Sequence, residues 1–525
     1  MKEIVRRTWL PALLALALLL TCPGGGVLAQ GPELWGDLKP GAYGVGFKVF
    51  DERDYSRTYR SKNLRPRPQD RGRPVQISVW YPARPVRART PMTYGTYVHL
   101  LTAGQGSAVP SGEEVRESER RFMAGSLARG VPEERLRALL KTETAAFKDA
   151  APLTGPFPLV VVGQGLGFES PITHAVLCEY LASHGYVVAT APLKGTYSPL
   201  VNLDLIDLET EVRDMEFVIS RMHASPNADP GRLALVGFDL GGMAALLLQM
   251  RNTDVDAVVS LDSGIAFAHN TRLLKQSPYY DPSRLRVPLM HATATKEEVE
   301  ARGVREDPGL FESAPYADTY RLRFRGMRHA DFTSYSMVEG LAPGFSGPPK
   351  INPRPAYEAL CRYVLNFLNA FVKGDREGLS FISRKTEGGA APGALFTVES
   401  RQGRPAPPTE DQFVNLILEE GPERAARTYR EVSARYPGYA LFREATLNRL
   451  GYEFLNRRAD AKGAVQIFLM NVEAFPESWN AYDSLAEAYL ADGQPALAVK
   501  NYKKSLELNP QNGNASEALK KIERR

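Results

Sequence analysis

Residues 233–246 constrain this chain more than any other stretch. Leu233 to Val236 is a short apolar run that reads as a buried strand. Gly237-Phe238-Asp239-Leu240-Gly241 follows at once, and residues 242–250 are small and apolar enough to form a packed helix. A strand, a sharp turn and a helix, with glycines two places before and after the central residue, is the layout of a nucleophile elbow. Such a turn lifts one side chain to the top of a sheet, and the glycines leave room for neighbouring backbone to pass close by. The central residue here is Asp239.

The segments around the elbow alternate strand and helix patterns. Strands are expected at 41–50, 75–82, 157–163, 185–190, 257–261, 287–291 and 320–324; helices are expected at 173–184, 205–222 and 356–372. Continuous β-branched runs such as Leu159 to Val162 fit strands covered on both faces. This alternation predicts a mostly parallel sheet with helices on both sides. Residues 97–151 interrupt it with two Arg- and Glu-rich helical patterns, 113–130 and 132–148, and read as a helical insertion, either a lid or plain decoration.

A nucleophile at an elbow needs backbone donors for an oxyanion, a base, and an acid that orients the base. Gly163-Gln164-Gly165-Leu166-Gly167 follows the third main strand, which assigns the donors to Gln164 and Gly165, with the Leu240 N–H as the second. Of seven histidines, His329 alone follows the last strand of the sheet and is the expected base. His291, at the end of the preceding strand, competes with it. Asp262 ends the strand after the elbow helix and is the expected orienting acid, with a turn or cap role as the structural alternative.

These stretches, with Leu181 to Val188 and Arg325-Gly-Met-Arg-His-Ala-Asp-Phe332, resemble the α/β-hydrolase superfamily, in its platelet-activating-factor acetylhydrolase and dienelactone-hydrolase-like branch. The resemblance runs over residues 40–375. It implies an α/β-hydrolase fold, with Asp262 as the family's acid and His329 as its histidine. Asp239 stands where the family has serine, and Gln164 where it usually has histidine. Haloalkane dehalogenases and epoxide hydrolases of the same superfamily carry an elbow aspartate, followed by tryptophan where this chain has Leu240. Three functions follow: hydrolysis of a small ester, lactone or lipid-like substrate; attack by Asp239 on carbon, as in an epoxide or alkyl halide; and a catalytically silent scaffold for a partner.

Beyond residue 385 the pattern changes. Residues 386–408 are rich in Gly and Pro and read as a linker. From 409 to 525 it is helical throughout. Pro437, Pro476 and Pro510 recur 39 and 34 residues apart, and Ala425, Ala464 and Ala498 each stand twelve places before one of them. Tyr429, Phe468 and Tyr502 stand eight before. Small residues that let helices approach, with aromatics filling the gap, resemble the tetratricopeptide repeat. The resemblance implies docking of a protein partner.

At the other end Lys2, Arg6 and Arg7 precede an apolar run from Trp9 to Leu20, then Val27-Leu28-Ala29. This reads as a signal peptide over 1–29, too short for a membrane span. It predicts export, periplasmic or secreted; Cys22 sits in a poor lipobox. Cys178 and Cys361 then remain, in apolar helical patterns that favour buried free thiols. The net charge of +5 over 525 residues is dispersed, which excludes a nucleic-acid footprint. Scattered histidines and few cysteines argue against a metal site, and the glycine-rich 163–167 lacks the Lys-Ser/Thr ending of a phosphate loop. The expected chain has no cofactor, a small-molecule substrate and no integral membrane segment after cleavage.

Overall fold

The computed structural model describes residues 31–59, 72–84, 90–100, 111–167, 170–349, 351–384 and 394–524. The expected leader and Cys22 lie outside them. The chain divides into two compact units at Arg404 and Pro405.

The first unit is built on a ten-stranded sheet: β1 (Gly44–Asp54), β2 (Arg73–Ala83), β3 (Ala146–Lys148), β4 (Phe157–Gly163), β5 (Val187–Thr190), β6 (Ala228–Phe238), β7 (Val255–Leu261), β8 (Leu289–Ala294), β9 (Thr319–Phe324) and β10 (Phe396–Arg401). The spatial order is β10-β9-β8-β7-β6-β4-β5-β2-β1-β3. The run from β9 to β5 is parallel, whereas β2 pairs antiparallel with β5 and with β1. With helices on both faces, this is an α/β-hydrolase fold.

The period of two along each strand separates two cores. Val160, Val162, Ala234, Val236 and Phe238 join one. Leu159, Val161, Leu233 and Leu235 join the other, under the helices Leu205–His223 and Leu240–Arg251. The chain leaves β4 for β5 on one side, then returns to lay β6 on the other side of β4. At such a switch point the loops leaving two adjacent strands diverge and open a crevice at the carboxyl edge. The turn after β4 and the elbow after β6 meet there.

Two expectations are corrected. Residues 146–148, expected as the end of an insertion helix, are β3, paired parallel with Val45 to Phe47. The insertion helices are Tyr94–His99, Gly112–Ala128 and Glu133–Lys141, the second opened by a Ser111/Glu114 capping box. Residues 396–401, expected as linker, form the antiparallel edge strand β10 on β9; its Phe396 stacks on Phe324 at 4.8 Å. A polar alternating strand flanked by Gly and Pro has the composition of a linker, and only the waiting edge of β9 distinguishes them. Glu179 fastens the insertion: its buried carboxylate accepts from Trp35 Nε1 at 2.9 Å, Tyr97 Oη at 2.6 Å and the Ala145 N–H at 3.1 Å. Cys178 and Cys361 are buried free thiols.

The second unit is all-helical, from Glu410–Glu420 to Gly513–Glu523. The helices Pro422–Arg435, Ala461–Ala474 and Pro495–Leu508 end just before the three spaced prolines. Ala425, Ala464 and Ala498 are fully buried where helices cross. Among the described residues no helix is long and apolar enough to cross a membrane.

Candidate active site

The elbow forms because three glycines let three backbones cross. A Cβ at Gly237 would lie 2.2 Å from Gly241 O, and one at Gly241 would lie 2.2 Å from Gly163 C. The crossing is held by Gly241 N–H donating to Gln164 O at 2.8 Å. It forces Asp239 to φ 49° and ψ −115°, a region costly to any residue with a Cβ. Its carboxylate stands at the N-terminus of the helix Leu240–Arg251, where the helix dipole favours negative charge.

The structure brings Asp239, Asp262 and His329 together at the carboxyl edge. His329, on the loop after β9, meets Asp262 Oδ2 through Nδ1 at 2.7 Å. The His329 ring stacks on Phe238 with centroids 4.5 Å apart. Asp262, at φ 37°, is fully buried. Its Oδ1 accepts from the Thr293 hydroxyl at 2.7 Å, and its Oδ2 also accepts from Arg302 Nη1 at 2.9 Å.

The oxyanion donors differ from expectation. Gln164 turns inward: its Nε2 donates to Thr190 Oγ1 at 2.8 Å, its carbonyl is taken by Gly241, and its N–H faces the buried Glu211 carboxylate. The donor that reaches the elbow is Leu166, whose N–H meets Asp239 Oδ2 at 2.9 Å. Leu240 N–H adds a second hydrogen bond to that carboxylate. Gly165 serves by its missing side chain, since a Cβ there would lie 2.8 Å from Asp239 Cβ. Turn chemistry locates the loop, but which N–H faces the elbow depends on how Gln164 is pinned.

The charges interlock. Burial raises the Asp239 pKa above its ordinary value; the positive His329 and the Leu166 and Leu240 N–H groups oppose this without cancelling it. Burial would also raise Asp262, but His329, Arg302 and Thr293 reverse it and hold that carboxyl well below the usual range. Burial alone would lower His329; hydrogen bonding and charge from Asp262, with the charge of Asp239, raise it above its ordinary value. His291 is buried against Ser260, which it meets at 3.0 Å, and burial pushes its pKa down to about 3. It is a core residue, distinct from the dyad.

Chemically, the site holds a carboxylate on backbone donors, with Oδ2 on Leu166 N–H, beside an imidazole backed by a second carboxylate. Sequence reasoning missed Leu166, Phe238, Thr293 and Arg302. Arg302 closes the run after Lys296–Ala301, which composition marks only as a solvated face. Among the described residues, no group of three or more His, Cys, Asp or Glu is arranged to hold a metal ion.

The chain matches no protein-family model and no curated protein. Among solved structures it is similar to a ferulic acid esterase from Streptomyces cinnamoneus, at 21% identity and a TM-score of 0.47, over 66% of this chain and 94% of that one.

Proposed function

We propose that this α/β-hydrolase uses the Asp239 carboxylate as a nucleophile toward a saturated carbon bearing a leaving group, such as that of an epoxide or alkyl halide. The observation that carries the reading is the 2.9 Å hydrogen bond from Leu166 N–H to Asp239 Oδ2. A hydroxyl nucleophile needs its backbone donors open for the substrate's carbonyl oxygen. Here the nucleophile's own carboxylate engages them, with Leu166 N–H on Oδ2, and Oδ1 is the oxygen assigned to attack. Attack on a carbonyl ester would give an anhydride at Asp239, with the Leu166 and Leu240 N–H groups already engaged by the Asp239 carboxylate.

In the first step Oδ1 forms a bond to carbon as the bond to the leaving group breaks and that group takes the electron pair, giving an ester of Asp239: a halide departs as the anion, whereas an epoxide oxygen stays on the ester and takes a proton from solvent. In the second, His329 takes a proton from water and the hydroxide adds to Asp239 Cγ. Negative charge develops on Oδ2, where Leu166 N–H already points. The alcohol leaves with the proton from His329, and Asp239 releases the proton carried in by the hydroxide to solvent and is restored as the carboxylate. Asp262 holds the imidazole through Nδ1 and stabilises its charged form. Esterification removes the Asp239 charge, one of the causes raising the His329 pKa, so the histidine becomes a readier base when it is needed.

The export reading rests on the basic and apolar pattern of residues 1–29, and the tetratricopeptide docking reading on the alanine and aromatic register of 422–508. Both belong to the same proposal.

Single turnover of the full chain in heavy-oxygen water, with a panel of epoxides, alkyl halides, esters and lactones, tests the chemistry. The first product should take its new oxygen from Asp239, which then carries the heavy label; His329→Gln should accumulate the ester at Asp239. A first product labelled from solvent, with Asp239 unlabelled, would overturn the proposal. So would silence across the panel with Asp239→Ser gaining esterase activity, which would mark a scaffold without a nucleophile.

A further inference from the structure

An aspartate at the elbow creates an electrostatic problem that a serine would not. The imidazole of His329 then faces two carboxylates, Asp262 through a hydrogen bond and Asp239 across the site. Both favour the protonated ring. A protonated imidazole cannot take a proton from water, so in the free chain, before Asp239 is esterified, the ring is held toward the form that cannot act as the base.

Arg302 lies where a counter-charge would act. It follows the helix Lys296–Ala301, and its backbone N–H closes that helix on the Glu300 and Val299 carbonyls. Its Nη1 donates at 2.9 Å to Asp262 Oδ2, the same oxygen that His329 Nδ1 meets at 2.7 Å. Its Nη2 donates at 2.7 Å to the carbonyl of Met327, two residues before His329. One planar fork therefore grips both the acid and the loop that carries the base, a geometry that lysine's single ammonium does not reproduce.

We propose that Arg302 is a positioning residue of the dyad: its cation offsets the charge that an aspartate adds beside His329, and its fork ties the 325–332 loop to Asp262. The proposal rests on reading Asp239 as the charged nucleophile. The other groups around His329 do not supply this counter-charge. On its own loop, Arg328 is paired with Asp331 at 2.8 Å and with Glu339 at 3.6 Å. His174, edge-on to Phe238, and His291 on β8 are buried, and burial pushes each pKa down to about 3. Both are neutral.

The test is a titration of the His329 ring by NMR in the histidine-labelled full chain, assigned with His329→Gln. Arg302→Gln should raise the His329 midpoint by about one pH unit, the effect expected of removing a nearby partly solvated cation. Arg302→Lys should leave the midpoint near the wild-type value, because the charge stays. Asp239→Asn should lower it. An Arg302→Gln midpoint that stays put or falls would overturn the proposal, as would Arg302→Lys shifting it as far as glutamine does. Should Arg302→Gln not fold, Arg302→Met carries the same expectation. No substrate is needed, so this outcome is separate from the labelling experiment. A midpoint unmoved by Asp239→Asn would show that Asp239 adds no charge beside His329 and would overturn the offset, whatever Arg302→Gln does; whether Asp239 is the nucleophile is decided separately by the labelling experiment.

Discussion

Thr293→Val removes one hydroxyl from beneath the dyad and changes little in shape. Thr293 is 1% exposed and Asp262 0%. The hydroxyl donates at 2.7 Å to Asp262 Oδ1, while Oδ2 serves His329 and Arg302. Valine would leave Oδ1 facing a methyl group. Losing a hydrogen bond to a charged acceptor at a buried site costs about 2 kcal/mol. The sign with pH follows from the depressed Asp262 pKa. Its contribution to stability is present above the unfolded carboxylate value of about 4, and is lost as the pH falls through the folded value. The variant depresses that pKa less. It should be less stable at neutral pH and should lose stability less steeply in acid. The chain has four tryptophans, at 9, 35, 80 and 479. With Trp9→Phe and Trp479→Phe in the background, fluorescence comes from Trp35 and Trp80, both buried in the first unit. Urea unfolding should then show a lower midpoint at an unchanged slope. A deficit below about 0.5 kcal/mol at neutral pH would refute the reasoning, because a bond to a charged acceptor is worth more than that.

Two further outcomes follow from the same geometry. Gly165→Ala places a Cβ 2.7 Å from Phe238 Cδ1 and 2.8 Å from Asp239 Cβ, so the loop must retreat and draw Leu166 N–H away from Oδ2. Breakdown of the Asp239 ester should slow by about a hundredfold, the usual cost of one oxyanion donor, with ester accumulating in single turnover; an unchanged second step would count against Leu166. The two steps should also differ in pH dependence. Formation of the ester needs ionised Asp239, whose raised pKa places that acid limb above the usual aspartate range. Breakdown needs neutral His329, whose limb should fall below the midpoint of the free chain once Asp239 is esterified. For stability the sign is opposite to that of Asp262: the raised His329 pKa stabilises below its unfolded value, and the contribution is lost as pH rises through the folded one. Identical pH profiles for the two steps would refute the division of roles.

Much of the fold is legible because it is written locally. Leu159 to Val162 and Leu233 to Val236 are buried on both faces, and their composition says so. The glycines of the elbow are needed within five residues of each other, so a short pattern reveals them. The limits are equally physical. Residues 396–401 become strand only because β9 leaves an edge to pair with, and residues 146–148 only because β1 does. Gln164 occupies the expected oxyanion position, yet Thr190, Gly241 and Glu211 turn its polar groups away. None of those partners lies near it in the chain.

The sequence by itself determined the order of the central strands and helices, the strained turn at Asp239, and the candidacy of Asp262 and His329, since each follows from hydrophobic period, glycine placement or position after a strand. Tertiary structure alone decided that Leu166 faces the carboxylate, that Thr293 closes beneath Asp262, and that Arg302 joins the acid to the histidine loop. Asp262 meets Thr293, Arg302 and His329 across 31, 40 and 67 residues of chain. Contacts at such separations exist only once the sheet has set the register of β7, β8 and β9, so no local pattern of residues can encode them.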